Sequence, residues 1–161
     1  MPIQPGDPIP EANFTVMTQS GPEVRTADQI FGGHKVVVIG VVGAFTPICD
    51  QNHLPGFVDH VDQFKSHGID TVAVTSVNDV FVMDAWAKHA GAGGKMIFLA
   101  DGNGDFARAL GLTLDLTARG LGVRSQRYAM LVDDGIVRKL NIETAAGKVD
   151  ASSAETLLAQ L

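Results

Sequence analysis

Lys35-Val-Val-Val-Ile-Gly-Val-Val42, running straight into Gly43-Ala-Phe-Thr-Pro-Ile-Cys-Asp50, is the stretch on which the fold turns. Its first half is β-branched and almost wholly apolar, as a central strand buried on both faces requires. The second half starts a helix. Thr46 is a good N-cap, and Pro47 falls at N1, where its fixed φ fits and its missing N–H costs nothing. Ile48 is then N2 and Cys49 N3, in the first turn, where unpaired N–H groups and the positive end of the helix dipole favour a thiolate. The Thr46–Cys49 spacing has the form of a capping box with sulfur in place of the carboxylate. Ligands of open α/β sheets bind outside the carboxyl ends of strands, which is where this junction lies. The plainer alternative is that Thr46 and Pro47 only start a helix and Cys49 fills space, since free cysteine is among the most buried residue types.

Outward from this junction, strands and helices alternate. Upstream, a Pro-rich arm over the first ten residues leads to short strands at Ala12 to Thr18 and Glu23 to Arg25, joined by a turn at Ser20-Gly21-Pro22. Thr26 to Phe31 is a short helix ended by Gly32-Gly33. Downstream, a helical pattern runs from Pro47 to about His67 and stops at Gly68, with a kink due where Pro55 cannot donate to Gln51. Asp70 to Ser76 and Lys95 to Ala100 read as buried strands. Between them Val80 to His89 is a helix capped by Asn78 or Asp79, and Asp105 to Leu110 is another. Asp133-Asp134-Gly135 is a strong hairpin signal between Arg127–Val132 and Ile136–Ile142. Ser152 or Ser153 caps a last helix to Leu161. The expectation is a single α/β domain over 1–161: a mixed central sheet flanked by helices, with a late β-hairpin.

Composition narrows the function. The chain has 161 residues, 45% of them hydrophobic and 19% charged, which is ordinary globular usage. A net charge of −6 with only 12 scattered Lys and Arg residues argues against nucleic acid and anionic membrane as partners. The longest apolar runs are far short of the roughly 20 residues of a membrane helix. The Pro-rich start has neither the basic region nor the apolar core of a signal peptide, so a cytoplasmic location is expected. The single cysteine rules out an internal disulfide and a multi-cysteine metal site.

Gly43-Ala-Phe-Thr-Pro-Ile-Cys49 followed by His53-Leu-Pro-Gly-Phe57 closely resembles the peroxiredoxins, specifically the peroxiredoxin 5 subfamily. Ser76-Val-Asn-Asp-Val-Phe81, Phe98-Leu-Ala-Asp101 and Arg127-Tyr-Ala-Met-Leu-Val-Asp-Asp-Gly-Ile136 extend the likeness over nearly the whole chain. The resemblance implies a thioredoxin-like fold and a one-cysteine thiol peroxidase that reduces hydrogen peroxide and organic hydroperoxides, with no cofactor and no metal. It implies Cys49 as nucleophile and Thr46 as the residue that orients peroxide and sulfur. Gly43, Phe45, Pro47 and Ile48 would then line the substrate pocket. The fixed cation could be Arg119, Arg124, Arg127 or Arg138 on composition alone; the family pattern selects Arg127. An outside thiol, glutaredoxin with glutathione or thioredoxin, would recycle the enzyme, and a homodimer is implied. The chain departs from the pattern twice: Val42 stands where the family usually has proline, and Asp50 where it commonly has Ser or Thr. Asp50 adds a like charge near a thiolate.

Other patterns are weaker. His53 lies four residues after Cys49, which would suit a cysteine hydrolase, although His53-Leu-Pro-Gly-Phe suggests a role supporting the site instead. His53, His60 and His67 are seven residues apart, roughly 10.5 Å per step on a helix, too far for one metal ion. Asp101-Gly-Asn-Gly-Asp105 imitates a calcium loop but has Phe106 and Leu112 where glycine and glutamate are needed. Trp86, Phe81 and Met83 read as a core or subunit-contact face. Thioredoxin-type thiol exchange would need a second cysteine where Thr46 stands. A partner-binding module without catalysis is the remaining alternative.

Overall fold

The Val-rich run becomes β3 (Lys35–Gly40) in the middle of the sheet, with buried residues on both of its faces. The computed structural model describes residues 2–145 and 147–161; Met1, which opens the Pro-rich arm, lies outside them. Strand β4 (Thr71–Ser76) pairs parallel to β3, and β5 (Ile97–Ala100) parallel to β4. On the other side of β3, β8 (Tyr128–Asp133) runs antiparallel. With β1 (Asn13–Thr18), β2 (Gly21–Thr26) and β9 (Ile136–Ile142) these form a seven-stranded mixed sheet of order β2-β1-β5-β4-β3-β8-β9.

Alternation along the strands sends side chains into two cores. Val37, Ile39, Val72, Val74, Ala129 and Leu131 face one of them. There they meet α2 (Leu54–Asp59), α3 (Val61–Ser66), α4 (Val80–His89) and α6 (Ala154–Leu158) through Phe57, Phe64, Trp86 and Leu157. Val36, Val38, Ala73, Met130 and Val132 face the other, against Phe31 of α1 (Ala27–Phe31) and Phe106 of α5 (Asp105–Leu110). The sheet is therefore covered on both sides, as the alternating pattern requires. Gly40 is needed where β3 meets β8: a Cβ there would lie 1.9 Å from Cε2 of the Tyr128 ring, which occupies that space.

Local chemistry explains the element ends. Thr26 caps α1 in a full capping box with Gln29. Asp79 caps α4, its side chain accepting from Val82 N at 2.9 Å, and Ser153 caps α6. Asp134 and Gly135 both have positive φ, 47° and 77°, the geometry a two-residue hairpin turn demands between β8 and β9.

Four expectations shift. The first hairpin turns at Gln19–Ser20, since Thr18 pairs with Gly21, so Gly21 and Pro22 belong to β2. The central strand ends at Gly40, and Val41 and Val42 continue as buried but unpaired-register chain, with Val41 N still donating to Thr75 O at 3.1 Å. A separate two-stranded sheet, β6 (Thr113–Leu116) with β7 (Gly122–Ser125), was not anticipated. The long helix expected from Pro47 to His67 is instead three pieces: a π turn at Cys49–His53, then α2, then α3 after a break at His60, where φ is −110° and ψ 8°.

Candidate active site

Cys49 sits at the carboxyl end of β3, on the turn that follows it, and is 0% exposed. Asp50 N donates to Thr46 O at 2.8 Å, so Thr46 closes the first turn through its carbonyl, as an N-cap does. Its side chain does something else. Thr46 Oγ1 donates back to Gly43 O at 2.7 Å, which leaves the oxygen's lone pairs to accept and fixes its single proton.

The π turn has a local cause. Pro55 has no N–H for the carbonyl of Gln51, and its ring would clash with that carbonyl in a regular helix. The backbone widens instead: Leu54 N bonds the carbonyl of Cys49, five residues back. His53 consequently does not follow Cys49 as the fourth residue of a regular helix. Its buried ring turns to two other partners. Nδ1 accepts from Arg127 Nη1 at 3.1 Å, and Nε2 donates to Ser152 O at 2.9 Å. Burial and then the neighbouring guanidinium push the His53 pKa down to about 3, so the ring is neutral at physiological pH. With both nitrogens so engaged, His53 is unsuited to act as the base of a cysteine hydrolase.

Arg127 precedes β8 and is buried, on the same side of the strand as Ala129 and Leu131. Through His53 its guanidinium is tied to the turn that begins at Cys49. Of the other arginines, Arg138 on β9 is exposed and Arg119 lies in a short 3-10 turn, Thr117–Arg119. Arg124, on β7, comes close to the loop that leads to Cys49. Its Nη1 donates to Val77 O at 3.0 Å and would lie 3.2 Å from a Cβ on Gly43. That same Cβ would meet the Thr46 methyl at 3.2 Å, so only glycine leaves this corner open.

Phe45 has φ of 63°, an unusual backbone for a side chain of its size. Its ring is 44% exposed and packs 5.5 Å from His89 and 6.4 Å from Trp86. Ile48 and Pro47 open the helix at the mouth of this loop. Asp50 does not leave its charge loose beside the sulfur, because its Oδ1 accepts from Trp86 Nε1 at 2.8 Å.

Several supporting residues carry no local signal in the sequence. With Asp79 taking the cap, Asn78 Oδ1 is available to accept from Ala44 N at 2.9 Å, pinning the loop before Cys49. Glu143 and Ser152, far apart from His53 in sequence, hold its partner carbonyl. Among the described residues no three His, Cys, Asp or Glu side chains converge as metal ligands; His60 and His67 instead bond the carbonyls of Gly56 and Gln63. No helix among the described residues is long and apolar enough to cross a membrane.

The geometry has counterparts in known proteins. The Redoxin family matches residues 4–158. Peroxiredoxin-2E, chloroplastic, of Arabidopsis thaliana is 45% identical over 163 residues, covering 99% of this chain and 69% of that protein. The structure of reduced Prx3 in complex with hydrogen peroxide from Vibrio vulnificus superposes with a TM-score of 0.93 at 44% identity, covering 98% of both chains. Peroxiredoxin 5 from Alvinella pompejana gives 0.86 at 37% identity, covering 98% of this chain and 97% of that one. The chain has the thioredoxin-like fold and belongs to the peroxiredoxins, as a single-cysteine member similar to peroxiredoxin 5 and a thiol-dependent peroxidase.

Proposed function

We propose that Cys49 carries the peroxidase reaction, with Thr46 and Arg127 as the groups that hold the peroxide. The observation that supports this most is the Arg127–His53 hydrogen bond of 3.1 Å, which ties a buried cation to the turn bearing the only thiol. The thiolate attacks one peroxide oxygen; an S–O bond forms, the O–O bond breaks, and the sulfur loses two electrons. The other oxygen leaves as hydroxide or alkoxide and takes up a proton. Arg127 stabilises the charge that develops on the oxygens, and a cation in a water-poor site does so more strongly than in bulk water. Thr46 Oγ1, its proton committed to Gly43 O, acts as an acceptor that aligns the peroxide O–H. Pro47 shields the sulfur, and Gly43, Phe45 and Ile48 shape the approach.

With one cysteine in the chain, the sulfenic acid has no resolving partner within it. An outside thiol condenses with Cys49–SOH, releasing water and leaving a mixed disulfide, and a second thiol displaces Cys49 as thiolate. Glutathione with glutaredoxin, or thioredoxin, fits this role. Without it, excess peroxide carries Cys49 on to the sulfinic state. We assign the enzyme to a homodimer, supported by the exposed Phe81 on α4 at 66% and Phe45 beside the same helix.

One equivalent of hydrogen peroxide should add one oxygen to Cys49, trappable by a dione probe and seen by mass spectrometry. Turnover should require added thiol, and Cys49→Ser should abolish it. A Cys49 that stays unmodified under modest peroxide excess would remove the assignment.

A further inference from the structure

We propose that Glu143 and Ser152 are positioning residues for the peroxide reaction: they fix which nitrogen of His53 is bare, and through it the orientation of Arg127. This rests on the assignment of Arg127 made above.

Glu143 follows the last residue of β9 and is 8% exposed. Its backbone N–H donates to Arg127 O at 2.9 Å, so the two residues sit opposite each other at the end of the hairpin. Its carboxylate turns toward the segment that leads into α6. Oε2 accepts from Asp150 N at 3.0 Å, from Ser152 N at 2.9 Å and from Ser152 Oγ at 2.6 Å; Oε1 accepts from Ala151 N at 3.2 Å. A nearly buried carboxylate is costly unless its lone pairs are filled, and here consecutive backbone donors fill them. Burial alone would raise the Glu143 pKa, but the Ser152 hydroxyl and these N–H groups outweigh it and hold the group below its ordinary value.

The clamp has one product that reaches the site. Ser152, 0% exposed, presents its carbonyl to His53 Nε2 at 2.9 Å. A carbonyl cannot donate, so Nε2 carries the ring proton and Nδ1 is bare. A guanidinium cannot accept, so it needs that bare nitrogen, and Arg127 Nη1 uses it at 3.1 Å. The opposite tautomer would aim an N–H at an N–H. A neutral imidazole also orients the cation without cancelling its charge, whereas a carboxylate in the same place would draw that charge away from the peroxide oxygens. Glu143 thus acts at one remove, through a carbonyl and a ring.

The test is a double-mutant cycle on the reduced full-length protein, read by single-turnover stopped flow of Cys49 oxidation by hydrogen peroxide. Nitrogen-15 NMR of the His53 ring supplies a second readout. Wild type should show a protonated Nε2 and a bare Nδ1. Glu143→Gln puts an NH2 against the backbone donors and should mix the tautomers and slow Cys49 oxidation by roughly ten- to a hundredfold, the scale of a small misplacement in an active site. Ser152→Ala, which keeps the carbonyl and deletes one hydroxyl, should do the same to a lesser degree, and carries the cycle alone if Glu143→Gln does not fold. In an Arg127→Gln background, already slow, neither change should cost more than about a further twofold, because coupled residues are not additive. Losses that multiply fully with Arg127→Gln, or slowed oxidation with the His53 ring unchanged, would overturn the positioning role, as would an unaltered rate in both variants. Arg127→Gln reacting at the wild-type rate would overturn the assignment of Arg127 itself, a separable failure.

Discussion

At the scale of single residues, the site is defined by where protons are committed. Thr46 Oγ1 gives its only proton to Gly43 O, so in the proposed reaction it serves as an acceptor. Thr46→Val keeps the shape and removes the acceptor; it should lower the rate of Cys49 oxidation by on the order of 10²-fold, whereas Thr46→Ser should stay near wild type. Equal rates for the two variants would reduce Thr46 to a helix starter. His53 gives a stability prediction with a definite sign. Its folded pKa is about 3 against an ordinary 6.5, so between those values the unfolded chain binds more protons than the folded one. Stability is therefore fully present above about pH 6.5 and is lost as pH falls toward 3, with a limiting slope of roughly 1.4 kcal/mol per pH unit for one group. Urea melts between pH 6.5 and 5 should show this slope in wild type and a flatter one in His53→Gln. Glu143 adds in the same direction only at lower pH, as its own ordinary value is 4.5.

At the scale of elements, the helix after Cys49 is shaped by a proline six residues further on. Pro55→Ala restores an N–H for Gln51 O and removes the ring clash, so the Cys49–His53 turn should relax to a regular helix. Helix stability should not fall, yet His53 would rotate away from Arg127, and Cys49 oxidation should slow by roughly tenfold or more. Hydrogen exchange of the Leu54 amide, now bonded to Cys49 O, would report the change; an unaltered rate would show that the widened turn is incidental. This element also marks where sequence reading stops. The helix start at Thr46-Pro47 was legible because a proline's fixed φ acts locally, although the Thr46 hydroxyl bonds Gly43 O and not the first turn. Val80 to His89 was legible because its caps and period are local. At Pro55 the missing bond to Gln51 was legible and so was a kink, but not that the backbone would widen into a π turn, because that depends on how the following segment packs. The short hairpin of β6 and β7 was not legible either: its strands have only four residues each, and although Thr113-Leu114-Asp115-Leu116 alternates, Gly122-Val123-Arg124-Ser125 does not.

At the scale of the whole molecule, the buried-strand runs and the Asp133-Asp134-Gly135 turn were enough to foresee a mixed sheet covered on both sides, because each strand's burial is written in its own composition. The link from Arg127 through His53 to Ser152 joins distant parts of the chain, its partners 74 and 99 positions apart. No local pattern encodes such a link: spacing from Cys49 drew attention to His53 but with the wrong partner, only the likeness to a known family selected Arg127, and nothing singled out Glu143. Phe81, exposed at 66% on a helix whose other side is core, is the surface feature that asks for a partner. Sedimentation velocity should find a dimer for wild type and a monomer for Phe81→Asp. A monomeric wild type at micromolar concentration would exclude the homodimer.

The bond between Asp50 and Trp86 has an optical consequence. Trp86 is the only tryptophan in the chain, it is fully buried, and its indole N–H ends on the residue next to Cys49. In the proposed cycle an outside thiol must reach the buried sulfur, and a turn that opened for it should draw the carboxylate off the indole and change the polarity the ring senses. The protein therefore carries a single indole bonded to the residue beside its one thiol. Emission from this one ring should follow oxidation and reduction in real time, without a label and without a coupled assay.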